Sequence, residues 1–342
     1  MYSVETAFGQ CYRKPLSQRF ASISPRLWGF SFAQLFVCQL NNFYYAVLMA
    51  WSVAYLFQSF ITPLPWVKHS FLSTPSEKSS ETQISAFFNK DFFSHNMLEK
   101  TESIDDSGGL VPLIVVSLLV SYFLIYFSIW KGVESSSKVV YFTALAPYVI
   151  LIVMLVRGVT LEGSGRGLYY LFYPDWKKLG NAKVWIDSVN QAIFSSGIAF
   201  GPLIYYSSCR KPDEKILKSS IWLPLINSAT SILAAMVLFS FLGHVSTTLN
   251  ISIDEIDIEG IQLAFVAYPA MISMLPGSNI WAIIFFVMLI LIGIDSIFAT
   301  FDFVMSFLRS EYPCIDKNVR KEVFSLIFVS INFLVGLMFC LR

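Results

Sequence analysis

The chain has 342 residues, 55% of them hydrophobic and 16% aromatic, with only 14% charged, whereas a soluble domain carries about 25% charged residues. Too little polar surface remains to cover a soluble globule, so an all-α membrane protein is expected. The net charge of +1 excludes nucleic acid or another polyanion as a dominant partner, because such partners need a concentrated basic footprint.

Seven apolar stretches come close to or exceed the roughly 20 residues that cross a lipid bilayer: 28–60, 110–130, 139–156, 184–206, 221–242, 280–308 and 323–341. Ahead of the first, residues 1–27 carry Arg13, Lys14, Arg19 and Arg26. Later connections on the same side carry Lys131, Lys138, Arg210, Lys211, Lys215, Lys218, Arg309, Lys317, Arg320 and Lys321. On the other side, 61–107 is acidic on balance, and Asp254, Glu255, Asp257 and Glu259 have no basic neighbour in their loop. The positive-inside rule therefore puts the start of the chain inside and its end outside. On this reading 1–342 is one multi-pass transmembrane domain with extracellular loops at 62–109 and 243–279. The first apolar stretch is too long, and starts too far in, to be a cleavable signal peptide.

The connections are read in the same order. Residues 62–109, rich in Ser, Glu and Lys, form a surface loop. The link at 130–138 is short and forces its two flanking helices to pack antiparallel. Within 243–279, Asp254 to Ala267 is patterned as a short helix on the mouth of the bundle, ended by Pro269. Asn250-Ile251-Ser252 is a sequon, so Asn250 is a glycosylation candidate. Cys11, Cys209 and Cys314 fall in or beside inner loops and Cys38 and Cys340 within spans, so no disulfide is expected. His69, His95 and His244 lack metal-ligand spacing.

Three spans carry chemistry. In 184–206, Ser195-Ser196-Gly197 at mid-membrane followed by Gly201-Pro202 weakens helical hydrogen bonding where no water compensates. A broken helix there would free backbone groups for ions and solutes; a helix kinked at Pro202 and packed through small residues is the alternative. In 280–308, Ile292, Asp295 and Ser296 stand three and four residues apart, placing a carbonyl, a carboxylate and a hydroxyl on one helical face, a set suited to a hard cation. A carboxylate inside a membrane costs at least about 2.5 kcal/mol on insertion scales, which favours function over mere interhelical pairing. Asn227 and Ser231, and likewise Gln191 and Ser195, are four apart on one face; taken singly, such pairs are more often interhelical glue.

A family resemblance runs collinearly through these segments. Glu5-Thr6-Ala7-Phe8-Gly9-Gln10 resembles the end of the second helix of neurotransmitter:sodium symporters, and Asn42-Phe43-Tyr44-Tyr45 with Ala50-Trp51 resembles the third. Trp130-Lys131-Gly132-Val133, Lys138-Val139-Val140-Tyr141-Phe142-Thr143 and Arg157-Gly158-Val159-Thr160-Leu161 resemble the fourth and fifth. Gln191 through Gly201 is similar to the unwound sixth, Asn227 through Ser231 to the seventh and Gly293-Ile294-Asp295-Ser296 to the eighth. The resemblance implies a bacterial-leucine-transporter-like helical bundle running from the end of helix 2 through helix 9, truncated at both ends. It implies sodium and chloride as co-transported ions and an amino acid or amine as substrate, moved across the plasma membrane without enzymatic chemistry. Tyr45, Phe194, Ser195, Gly197, Phe200 and Ser296 would contact substrate. Ser195 and Asn227 would belong to a first sodium site, and the Ile292 carbonyl, Asp295 and Ser296 to a second. Gln191, Ser195 and Ser231 would hold chloride.

Departures from the family pattern bear on activity. Nothing resembles the first helix, which in the family supplies ligands to both sodium ions. The outer-loop cysteine pair is not found after Pro65-Trp66, where Lys68 and His69 stand, and Ile297 occupies a position where many members have glutamine. A non-transporting fragment or degenerate copy that at most associates with full-length relatives is therefore an alternative. A seven-helix receptor shares the span count but requires an inner carboxyl end.

Overall fold

The computed structural model describes residues 1–67, 87–88, 91–101, 108–130, 133–211, 213–256 and 260–341. Lys68, His69, Lys131, Gly132, Asp257 and Glu259, and with them much of 62–109, lie outside these residues. The elements among them are helical: α1 Tyr2–Cys11, α2 Leu16–Ile23, α3 Trp28–Gln58, α4 Pro112–Ile129, α5 Val133–Val159, α6 Ser164–Phe172 and α7 Ala182–Ser195. After these come α8 Pro202–Ser208, α9 Ile216–Leu249, α10 Tyr268–Ser273, α11 Ser278–Glu311, α12 Pro313–Asn318 and α13 Lys321–Gly336. One isolated antiparallel bridge joins Leu110 to Leu341.

Five helical stretches are long and apolar enough to cross a membrane: Pro112–Ile129, Tyr141–Val159, Ile216–Leu249, Ser278–Glu311 and Lys321–Cys340. The other two expected stretches differ for separate reasons. In α3, 31 residues long, Gln34, Gln39, Asn41 and Asn42 dilute the apolar run. The stretch 184–206 is split between α7 and α8.

Two polar side chains of α3, Asn42 and Gln39, reach partners on neighbouring helices. Thr300 of α11 donates to the Asn42 side chain, and Gln39 Nε2 donates to Asn332 Oδ1 of α13 at 2.6 Å. Tyr122 of α4 donates to the Asn332 carbonyl at 3.1 Å. The polar network thus ties α3, α4, α11 and α13 into one packed group. Phe301 and Met49 are buried within it.

A second apolar cluster fills the end of the bundle near the carboxyl end of α3. Tyr55, Trp66, Phe92, Phe265 and Phe286 meet there, with Tyr55 stacked on Phe286 at 5.0 Å between ring centres. Here the expected helix end at Pro269 is corrected. The chain makes a wide π turn over Leu263–Ala267 and continues as α10 through Ser273, with Pro269 in the first turn of α10. Proline leaves the carbonyl four residues back without its donor; that carbonyl, of Phe265, accepts the Tyr55 hydroxyl at 2.7 Å. Trp66 Nε1 in turn donates to the Pro269 carbonyl at 3.1 Å.

Small residues set the approach of α6 to α9. A Cβ at Gly167 would lie 1.8 Å from the Phe239 carbonyl oxygen, so the two backbones touch where only hydrogen fits. At its far end α9 runs to Leu249 and is capped by Asn250 in the left-handed conformation. The amide of Ile251 there donates to the Ser246 carbonyl at 3.1 Å.

Candidate functional site

The site is organised by the interruption between α7 and α8. Asn181 caps the start of α7 by accepting from the Lys183 amide at 3.0 Å, and α7 ends as the Ser196 and Gly197 amides bond back to Ala192 and Phe194. Three of the next residues then take positive φ: Gly197 at 64°, Ala199 at 72° and Gly201 at 108°. A helix cannot continue through such angles, so the structure has a true break in place of the kink at Pro202. Gly201 is required twice over, by its angle and because a Cβ there would lie 2.4 Å from Phe303 Cζ. The freed amide of Ala199 donates to Glu5 Oε1 at 2.8 Å, which fastens α1 to the break.

Beside the break lies a cavity of about 560 Å³ lined by residues of α1, α3, α7, α8 and α11. All six residues expected to contact substrate, Tyr45, Phe194, Ser195, Gly197, Phe200 and Ser296, line it. Phe194 and Phe200 face each other edge to face across the break, 6.0 Å between ring centres at 76°, an arrangement favoured by the ring quadrupoles. Sequence reasoning missed Tyr2, Asn41, Tyr206 and Thr300, which share the same wall. Two of them carried a usable signal, since Asn41 stands four residues before Tyr45 and Thr300 four after Ser296, one helical turn away on the same face.

The expected ion ligands fall beside this cavity in two groups. In the first, Asn227 Nδ2 donates to Ser195 Oγ at 2.7 Å, joining α9 to the end of α7. Ser231, one turn further along α9, donates to the Asn227 carbonyl at 3.1 Å. Ser195, Asn227 and Ser231 are therefore linked, whereas Gln191 stays exposed on α7 and no hydrogen bond joins it to them. In the second group, Ser296 donates to the Ile292 carbonyl at 3.1 Å, leaving its oxygen lone pairs available. Asp295 accepts from Thr143 of α5 at 3.3 Å, a partner that sequence reasoning left out.

The donor chemistry fits a hard monovalent cation. Asp295 is half-buried in α11, and no Lys, Arg or His among the described residues pairs with it. Three oxygens of one helical face could supply part of a coordination shell, with one negative charge to balance one positive charge. Among the described residues no group of three His, Cys, Asp or Glu could hold a transition metal.

A family model described as the sodium:neurotransmitter symporter family matches residues 1–342. The chain is 38% identical to the sodium-dependent serotonin transporter of Drosophila melanogaster over 98% of its own length and 55% of that protein. It is 36% identical to the sodium- and chloride-dependent GABA transporter 2 of Mus musculus, over 98% of the chain and 58% of the relative. Against the sodium- and chloride-dependent taurine transporter of Canis lupus familiaris the identity is 34%, again over 98% of the chain and 57% of the relative. The chain thus spans little more than half the length of these curated relatives.

Proposed function

Because the chain belongs to the sodium:neurotransmitter symporter family, we propose that it forms the substrate- and ion-binding part of a plasma-membrane symporter. That symporter moves an amine or amino acid on the sodium gradient. The observation that carries the reading is the cavity of about 560 Å³ at the break between α7 and α8. Unwound backbone offers amides and carbonyls without a helical partner, the device by which interrupted helices bind solutes at mid-membrane. Tyr45 and Ser296 give the wall polar groups, and Phe194 with Phe200 gives it an aromatic cover.

In this reading Ser195 and Asn227 contribute to one sodium site, and the Ile292 carbonyl, Asp295 and Ser296 to another. Chloride fits beside the first through Gln191, Ser195 and Ser231. Every group there is neutral, so a sodium ion in a low-dielectric site leaves charge that an anion from solution can balance. Gln191 would have to turn toward Ser195 to take part. The serotonin, GABA and taurine relatives carry their substrates in their names, which suits the class of small amines and amino acids.

The test restores full length by grafting the segments of a relative that the chain does not cover, then measures labelled amine and amino-acid uptake with sodium replaced by choline and chloride by gluconate. Uptake should need both ions, and Ser231→Glu should lessen the need for chloride while sodium dependence persists. An active graft indifferent to sodium would overturn the reading; one indifferent to chloride would return Gln191, Ser195 and Ser231 to interhelical bonding.

A second reading has its own observation. None of the residues of α7 is buried, and Phe194 is 60% exposed, so the cavity is open along one side in the chain alone. A chain expressed by itself is then a non-transporting relative that at most associates with full-length members.

Orientation belongs to the proposal as well. The basic bias puts 62–109 and 243–279 outside, where Asn250, exposed in its left-handed cap, is free to carry a glycan. Endoglycosidase should shift the gel mobility of the wild-type chain but not of Asn250→Gln. Labelling of a cysteine placed beside Asn250 only from the cytoplasm would reverse the topology.

A further inference from the structure

The cavity at the break carries a second polar pair, one turn nearer the start of α3 than Tyr45. Thr300 on α11 donates to the side chain of Asn42 on α3. At an equal interval along both helices, a Cβ at Gly293 would lie 3.2 Å from Met49 Cγ. Helices α3 and α11 therefore run antiparallel in a fixed register. That register sets Tyr45 level with Ser296 and Asn41 level with Thr300, and all four residues line the cavity. With four residues between the two levels on each helix, the rungs stand about 6 Å apart.

The rung of Asn41 and Thr300 is neutral, and its two members offer opposite things. The Thr300 hydroxyl donates within the protein, to Asn42 and to the Ile297 carbonyl at 2.9 Å, so toward the cavity its oxygen accepts. Asn42 is fully buried and fixes that polarity from behind the wall. Asn41 Oδ1 accepts from Tyr44 at 2.7 Å, and among the described residues no acceptor meets its Nδ2, so toward the cavity the amide donates. An ammonium group brings donors alone and a carboxylate acceptors alone, and either leaves one member of the rung unmatched. A hydroxyl group matches both. Phe194, Phe200, Pro202 and Leu203 supply apolar surface in the same cavity, which suits an apolar body between two polar ends.

Building on the substrate reading of this cavity, we propose that Asn41 and Thr300 select an amine or amino acid that ends in a hydroxyl group, held away from the amine by a ring-sized apolar spacer. Tyr45 and Ser296, on the other rung, face the amine end. Asn42 is a positioning residue: it keeps the Thr300 oxygen turned to the ligand without lining the cavity itself.

Two ligands that differ only in the hydroxyl test this. The purified 342-residue chain in detergent with sodium chloride is titrated with tyramine and with phenethylamine, and dissociation constants are read by ligand-detected NMR. Tyramine should bind at least about tenfold tighter, the worth of a hydrogen bond whose partners are otherwise left unmatched. Thr300→Val and Asn41→Leu should each remove the difference between the two ligands, whereas Thr300→Ser, which keeps the hydroxyl, should retain it. Misfolding would abolish both affinities together, so collapse of their ratio alone reports the rung. Equal binding of the two ligands by the wild type, or an undiminished preference in both Thr300→Val and Asn41→Leu, overturns the proposal. Parallel titrations with 4-aminobutyrate and taurine keep it apart from the reading beneath it. If these bind and tyramine does not, the hydroxyl assignment falls alone; if none of the four ligands binds, the substrate reading falls with it.

Discussion

Helices α11 and α7 both border the main cavity, yet one is embedded and the other lies bare. In α11, 44% of the most apolar span is buried inside the protein, whereas none of the residues of α7 is. The first half of α9 resembles α7: Leu217, Ile221, Trp222, Leu225 and Ile226 are all exposed. Hydrophobicity does not explain the contrast, because exposed apolar side chains suit lipid. Polarity does. On α7, Asp187, Asn190 and Gln191 are exposed, and lipid cannot satisfy such groups. The bare face of α7 is therefore chemically unlike the lipid-facing sides of α4 and α5, and it calls for a polar or protein neighbour.

In a full-length graft, Asp295→Asn should cut sodium-driven uptake at least about a hundredfold, since removing one partner of a buried charge pair costs about 3–5 kcal/mol. Retained sodium-driven uptake would show that α11 holds no ion. The 342-residue chain expressed alone should reach membranes and show no sodium-dependent uptake above background, because its cavity is open along α7; robust accumulation would mean that α7 needs no neighbour.

Smaller effects sharpen the contrast. Gly201→Ala forces both a strained φ and a clash with Phe303, so it should destabilise by about 3 kcal/mol, visible as a lower unfolding temperature in detergent. An unchanged temperature would mean that the break relaxes freely. Tyr55→Phe strands the Phe265 carbonyl opposite Pro269 and should cost about 1–3 kcal/mol. On the bare helix, Ser188→Ala removes only a bond to the carbonyl of Val184 four residues back. Its effect should stay within about 0.5 kcal/mol, and a loss matching that of Tyr55→Phe would show that α7 is packed after all.

What could be read without coordinates follows the range of each interaction. Patterns within one helix were partly legible: the weakened helix around Ser195–Pro202 from its small residues and proline, with a break and a kink both open, and the shared face of Ile292, Asp295 and Ser296 from their spacing. The grouping of Tyr45 with Phe194 and Phe200 came from resemblance, since they belong to different helices. Contacts that close over long separations left no local trace. Glu5 reaches the break across 194 residues, and Thr143 reaches Asp295 across 152. The end assigned at Pro269 failed for the same reason, because the group that compensates the proline, Tyr55, stands 210 residues from the carbonyl it bonds.

Ala199 places backbone strain at the break. It holds φ at 72°, a conformation that costs a residue with a Cβ roughly 1–2 kcal/mol, and its amide is kept there by a single carboxylate from α1. The strained residue and the bond to Glu5 thus meet at one peptide. Glycine at this position would tolerate the same angle, so Ala199→Gly should relieve about 1 kcal/mol of strain while the bond to Glu5 and the geometry of the break are kept.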